Sequence, residues 1–92
     1  MFRDQLFAEQ CVIVTGGGTG IGWATASLFY ALGAKVCLLG RRLEILQSAA
    51  KRLDPTLSRA MFYSCDIRKA EQVEQVIESA YATLGRIDIL VN

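Results

Sequence analysis

The stretch from Val12 to Gly22 reads V-I-V-T-G-G-G-T-G-I-G, an apolar run that breaks into glycines and then resumes as helix-like sequence. Val12, Ile13 and Val14 are β-branched and uninterrupted, as in a strand buried on both faces of a parallel sheet, where alternation disappears. Five of the eight residues after Val14 are glycine. Lacking a Cβ, glycine takes positive φ and lets another molecule approach the main chain, at an entropic cost that a plain connecting loop has no need to bear. From there Ile21, Ala24, Leu28, Phe29 and Leu32 recur at helical spacing, so the glycines stand where a strand becomes a helix. Free N–H groups and the positive end of the helix dipole would then point at the loop and make it an anion site. A flexible turn is the plainer alternative for the glycine cluster taken alone.

The remaining chain repeats the strand-then-helix theme. The first helix is expected over about Gly20 to Leu32, stopped by Gly33 in a left-handed cap. Lys35 to Leu39 reads as a second buried strand, followed by Gly40, Arg41 and Arg42. A second helix then carries Leu43, Leu46, Ala50 and Leu53 along one stripe. Asp54-Pro55 ends it, because the residue before proline avoids helical geometry. Ala60 to Cys65 reads as a third strand closing at Asp66. A third helix covers about Ala70 to Leu84, with Val73, Val76, Ile77, Ala80, Tyr81 and Leu84 as its core face and Gly85 as its stop. Ile87 to Val91 is a fourth strand. The resulting β-α-β-α-β-α-β pattern, with right-handed crossovers, predicts a Rossmann-type α/β fold: four parallel strands in order 3-2-1-4 with three helices on both faces. Such a sheet is incomplete, since strand 4 has no following helix and a bare hydrophobic edge templates aggregation. The expectation is one dinucleotide-binding domain over residues 1–92, truncated on its C-terminal side or in need of a covering partner.

Composition agrees with one modest core. Ninety-two residues make one domain at most, burying roughly 60 to 65% of its unfolded surface. Apolar content of 52% with 21% charged residues is that of a globular protein, and a net charge of +1 offers no field for nucleic acid or an anionic membrane. The opening M-F-R-D-Q-L-F-A-E-Q carries acids and no continuous apolar run, unlike a secretory signal, and no stretch approaches the ~20 apolar residues of a bilayer span. A cytoplasmic chain is expected. Cys11, Cys37 and Cys65 are odd in number and far apart, which favours buried free thiols over a disulfide or reactive role. With no histidine and no paired-cysteine spacing, no metal site is expected.

In an open α/β sheet a ligand binds beyond the carboxyl ends of the strands at the switch in strand order, here between strands 1 and 4. Four points converge there: the Gly16 to Gly22 loop, Gly40 to Arg42, Asp66 and Asn92. An NAD site usually places Asp or Glu at the end of strand 2 for the ribose hydroxyls; this chain has Gly40, then two arginines. A carboxylate would repel a 2′-phosphate, whereas a guanidinium pairs with one through charge-assisted bonds worth roughly 1.5 to 3 kcal/mol. Arginines in a first helical turn oppose the dipole by roughly 0.3 to 1 kcal/mol each, which an anionic neighbour would explain. A solvated basic helix start is the alternative; NADP is favoured over NAD. Asp66 has two compatible roles, a turn or cap residue and an acceptor for an adenine amino group. Asp88 is expected at the rim of strand 4, and Trp23 in helix packing beside the loop.

The usual dinucleotide fingerprint, glycines at i, i+2 and i+5, fails in every register. What fits is T-G-x-x-x-G-x-G, with Thr15, Gly16, Gly20 and Gly22. That spacing, together with G-R-R, C-D-I-R and the terminal I-D-I-L-V-N, resembles consecutive landmarks in the N-terminal half of the short-chain dehydrogenase/reductase family. The opening, G-R-R and C-D-I-R are most similar to its branch of 2,4-dienoyl-CoA and trans-2-enoyl-CoA reductases. The resemblance implies a nicotinamide cofactor held by Thr15, Gly16, Thr19, Gly20, Ile21, Gly22, Arg41, Arg42, Asp66, Ile67 and Asn92. Within that set Gly16, Gly20 and Gly22 would hold the pyrophosphate, Arg41 would select NADP, Asp66 would meet the adenine and Asn92 would support the adenine ribose side. It implies an oxidoreductase acting on an enoyl-CoA-type or other carbonyl or alcohol substrate, and a homo-oligomer at full length. Two departures stand out. Many NADP-preferring members have a basic residue just before the second motif glycine, where this chain has Thr19. The family's catalytic serine, Tyr-x-x-x-Lys pair and helix asparagine have no counterpart here, since no lysine lies four residues after Tyr30, Tyr63 or Tyr81. They are expected beyond Asn92, so no catalytic residue is assigned and the 92 residues alone are expected to be inactive. The rival from another class is a non-catalytic nucleotide-binding or dimer-forming module, and the plainest is a structural βαβ domain that binds nothing.

Overall fold

The computed structural model describes residues 7–16, 18 and 20–91. Its elements alternate as expected: β1 (Cys11–Thr15), α1 (Gly20–Ala31), β2 (Lys35–Gly40), α2 (Leu43–Leu53), β3 (Ala60–Ser64), α3 (Ala70–Leu84) and β4 (Ile89–Val91). The four strands form one parallel sheet in the order β3-β2-β1-β4. Among the described residues no helix is long and apolar enough to cross a membrane.

The apolar run of β1 is buried on both sides of the sheet. Val12 and Val14 pack with Val36 and Leu38 of β2 against Ala26 of α1 and Leu46, Ala49 and Ala50 of α2. Ile13, Cys37 and Leu39 point to the opposite layer, where Ala80 of α3 is buried against them with Val76 and Leu84 half-buried beside it. Side chains alternate between faces while polarity does not, as a doubly covered strand requires. All three cysteines are buried free thiols; burial pushes Cys37 up to about 12, which keeps it an apolar filler. Gly33 and Gly85 sit at φ of +98° and +82° just past α1 and α3, the left-handed conformation that ends a helix at little cost in glycine.

Periodicity misplaces some faces. Ile21 and Leu28, expected on the core stripe of α1, are 86% and 48% exposed, and Ala24 is exposed as well. The helix is apolar nearly all round (G-I-G-W-A-T-A-S-L-F-Y-A), so spacing alone does not choose the inner face. The sheet takes the side bearing Ala26, flanked by Trp23, Phe29 and Tyr30. Leu43 and Tyr81 are likewise 50% and 59% exposed, because each lies at the flank of its stripe rather than at the centre. Strand β4 begins at Ile89, two residues later than expected. Asp88 is engaged just before it: its Oδ2 accepts the Cys11 N–H at 2.8 Å, its own N–H donates to the Cys11 carbonyl at 2.9 Å, and Arg86 binds its Oδ1 at 2.6 Å.

Asp54, which the sequence offers only as a helix stop, is an anchor. It is 3% exposed, and its carboxylate accepts the Arg59 N–H at 2.7 Å, the Thr56 hydroxyl at 2.9 Å and the Ser58 hydroxyl at 3.3 Å. Burial pushes this carboxyl up, but the hydrogen bonds from Arg59, Thr56 and Ser58 outweigh it and hold the pKa at about 2. They also deliver Arg59, whose guanidinium lies 3.9 Å over the Tyr30 ring and donates to the carbonyls of Tyr30 and Ala34 at the end of α1. The native state therefore holds this proton more weakly than the unfolded chain does. The stabilisation is complete above the ordinary carboxylate pKa of 3.8 and is lost as pH falls through about 2. Urea denaturation of wild type and Asp54→Asn between pH 5 and pH 2 should show wild type losing about 2 kcal/mol more than the variant.

Candidate cofactor site

The expected site lies at the carboxyl edge of the sheet. The parallel register pairs Thr15 with Leu39, and the ladder continues one step further, with the Gly16 N–H donating to the Leu39 carbonyl at 2.7 Å. That amide is therefore committed to the sheet and is not one of the free donors of the glycine turn. Gly16 instead supplies the bend, at φ +66°, and Gly20 a second, at φ +58°. Among the described residues, the first turn of α1, from Gly20 to Gly22, offers N–H groups that have no acceptor within the helix.

The glycine turn faces the start of α2 across a cavity of about 230 Å³. Gly16, Gly18 and Gly40 form one side, and Arg41, Arg42, Ile45 and Leu46 the other. A Cβ on Gly18 would stand 2.9 Å from Ile45 Cγ2, and one on Gly40 would stand 3.2 Å from Leu46 Cδ2. These two glycines thus keep the cleft between β1, β2 and α2 as narrow as backbone contact allows. Small-molecule pockets run to roughly 300 to 1,000 Å³, so this cavity suits one segment of a dinucleotide. Arg42 is the N-cap of α2, with extended φ and ψ and no side-chain cap bond; both arginines stand just ahead of the first helical turn, still at the positive end of its dipole.

The loop after β3 is tied to the same edge. The Cys65 N–H donates to the Gly40 carbonyl at 2.6 Å and the Ser64 hydroxyl to the Arg41 carbonyl at 3.1 Å. Asp66 follows, its carboxylate taking the Arg68 backbone N–H and guanidinium, each bond 3.0 Å long. It is a turn residue, as one of its two expected roles required, but it caps no helix: the N-cap of α3 is Lys69, without a side-chain cap bond. The Arg68 hydrogen bonds, helped by the field of Arg41, hold Asp66 well below the usual carboxylate range. The acid therefore stays ionised and close enough to Arg41 to feel it.

Of the expected set, the structure brings together Gly16, Arg41 and Arg42 around the cavity, with Gly20 and Gly22 opening the adjoining helix and Asp66 on the next loop. Ile21 and Ile67 are exposed, 86% and 53%, and neither lines the cavity. Thr15 points the other way along the edge, its hydroxyl donating to the Val91 carbonyl at 3.2 Å and binding the ends of β1 and β4. Thr19 and Asn92 lie outside the described residues. Sequence reasoning missed the walls, Ile45 and Leu46, although both fall within one helical turn of Arg42. Trp23 packs as expected, its indole N–H donating to the Ala49 carbonyl at 3.2 Å under the Arg52 guanidinium. Among the described residues no group of His, Cys, Asp or Glu could hold a metal ion.

A family profile described as short chain dehydrogenase matches residues 10–92. The chain belongs to the short-chain dehydrogenase family. Among curated relatives it is 35% identical over 91 residues to the peroxisomal 2,4-dienoyl-CoA reductase of Arabidopsis thaliana, covering 99% of this chain and 30% of that protein. Among solved structures it superposes on a citronellol catabolism dehydrogenase of Pseudomonas aeruginosa with a TM-score of 0.94 and 42% identity, over 100% of this chain and 38% of the other. L-sorbose reductase of Gluconobacter frateurii, solved with NADPH and L-sorbose, aligns with a TM-score of 0.88 and 33% identity over 98% of this chain and 35% of the other. The chain therefore spans between 30% and 38% of the length of these proteins.

The geometry separates the roles of two glycines. Gly18→Ala should destabilise by about 1 to 3 kcal/mol through overpacking against Ile45, and Gly16→Ala by roughly 1 to 2 kcal/mol through its left-handed backbone. In an Ile45→Ala background the first penalty should fall by half or more while the second stays, a distinction that a double-mutant cycle in urea resolves.

Proposed function

We propose that this chain is the cofactor-binding N-terminal part of an NADP(H)-dependent oxidoreductase, and that residues 1–92 form its dinucleotide-binding domain. The observation that carries this is the placement of Arg41 and Arg42 across one cavity from the glycine turn. The first-turn amides of α1, from Gly20 to Gly22, would take the pyrophosphate by hydrogen bonding and dipole. Arg41, with Arg42 beside it, would grip a 2′-phosphate on the adenosine ribose, where the glycine at position 40 leaves no carboxylate to repel it. Asp66 and Ile67 would meet the adenine beyond Arg41, and Thr15, Thr19, Ile21 and Asn92 complete the proposed set. Hydride chemistry belongs to the nicotinamide when it is bound; the chain's own residues bind and orient it. The proton donor is assigned to sequence outside these 92 residues, because none of the three tyrosines begins a Tyr-x-x-x-Lys.

The substrate is an enoyl-CoA-type, carbonyl or alcohol compound. That breadth follows the relatives, one of them by name a dienoyl-CoA reductase, another a sorbose reductase and a third a dehydrogenase of citronellol catabolism. A homo-oligomer and a cytoplasmic location belong to the same proposal, although the dienoyl-CoA reductase is by its name peroxisomal.

Titration of the natural full-length protein with NADPH and NADH, read by quenching of Trp23 or by calorimetry, tests this assignment. NADPH should bind more tightly, and Arg41→Ala should cost NADPH roughly 10- to 100-fold while leaving NADH nearly unchanged. Equal affinity for both in wild type removes the case for Arg41, and no binding of either leaves the dimer-forming module or the structural βαβ domain.

A further inference from the structure

Asp66 is held more firmly than a turn needs. Its carboxylate offers about four acceptor positions, two on each oxygen. The Arg68 backbone N–H and Nε both go to Oδ1 and Nη2 goes to Oδ2, all at 3.0 Å. The main chain is braced as well: the Asp66 N–H donates to Gln72 Oε1 at 2.9 Å and its carbonyl accepts the Lys69 N–H at 2.9 Å. Arg68 is 69% exposed and Asp66 15%. An ion pair that open contributes little to folding and costs side-chain freedom, so stability is a poor reason for the arrangement. Its clear consequence is geometric, since the rotamer is fixed and one acceptor position is left on Oδ2.

We infer that Arg68 is a positioning residue of the nucleotide site, which holds the Asp66 carboxylate so that its one remaining acceptor position on Oδ2 takes the amino group of adenine. This rests on the proposed cofactor assignment, in which a 2′-phosphate at Arg41 puts the adenosine between Arg41 and the loop after β3. The ligand class is a 6-aminopurine nucleotide. A 6-oxopurine would set a carbonyl oxygen against the carboxylate and be refused. Arg68 touches no ligand itself; without it the carboxylate turns toward water, and the donor-selective acceptor is lost.

The experiment compares the full-length protein's affinity for NADPH with that for its hypoxanthine analogue, in wild type, Arg68→Met, Arg68→Lys and Asp66→Asn. Wild type should favour the adenine form by on the order of tenfold, one hydrogen bond to a charged acceptor. Arg68→Met should bring the ratio to within about threefold of unity by weakening NADPH alone, and Arg68→Lys, which keeps the charge but not the fork, should restore part of it. A full ratio in Arg68→Met together with a lost ratio in Asp66→Asn overturns the role of Arg68 and leaves the cofactor assignment standing. Equal weakening of both nucleotides in Arg68→Met marks it as merely structural and also overturns the role. A wild type that binds both equally, or neither, refutes the adenine contact of Asp66 and the role of Arg68 with it.

Discussion

Everything at the carboxyl edge depends on the register of β1 against β2. Cys11 through Thr15 pair with Lys35 through Leu39, and the bond from the Gly16 N–H to the Leu39 carbonyl extends the ladder past the strand. Neighbouring strands stand about 4.8 Å apart, so the first turning glycine and the Gly40-Arg41 step are brought level and adjacent. Slipping the pairing by one residue would turn Val12 and Val14 to the layer of α3 and Ile13 to that of α1, exchanging two interiors of different volume. The apolar core therefore fixes the site. Burial of Val12, Ile13 and Val14 sets which residue follows the strand, and hence where the chain first bends.

The two ends of the sheet are finished differently. At the amino end the polar groups are consumed: Asp88 pairs with both backbone groups of Cys11, Arg59 closes the carbonyls that end α1, and Asp54 gathers the turn that carries Arg59. Buried donors and acceptors left unpaired are costly, and these contacts hold that end shut. At the carboxyl edge α1 begins on glycine with no acidic residue in its first turn, and α2 is entered through an arginine that makes no cap bond. Helix starts without their usual partners lower stability by roughly 0.5 to 2 kcal/mol each. The fold tolerates that because the central strands are so thoroughly buried.

The architecture was legible because its signals are local: apolar runs of strand length, glycines at helix ends, and a helical pattern whose span, Ala70–Leu84, is that of α3. Faces were less legible. In α1 nearly every side of the helix is apolar, and the residue buried against the sheet is the small Ala26 rather than Ile21 or Leu28. Within the candidate site, glycines and arginines announce themselves, since each is an odd choice for a plain loop. Ile45 and Leu46 do not, because an apolar residue on α2 reads as core whether it lines a cleft or fills one. The Asp54 and Asp66 carboxylates were visible as turn residues, but what they hold is decided by backbone and side-chain donors two to five positions on, where no periodicity points.

The arginines themselves carry the last step. Arg59 lies on Tyr30 and two carbonyls, Arg52 on Trp23, Arg68 on Asp66 and Arg86 on Asp88. Arg41 and Arg42 have no carboxylate within ion-pair distance among the described residues, though Glu44 and Asp66 lie close in sequence or space. An exposed guanidinium needs no partner, so this costs the fold nothing. It does leave two adjacent cations with their donor forks uncommitted, beside a cleft whose far wall is glycine. A phosphate entering there would displace only water from the guanidinium groups and break no protein contact, whereas at Arg68 or Arg86 it would have to compete with an aspartate already in place. Uncommitted and committed cations thus divide the edge into a part whose charges are free to meet an anion and a part whose charges hold its own acids.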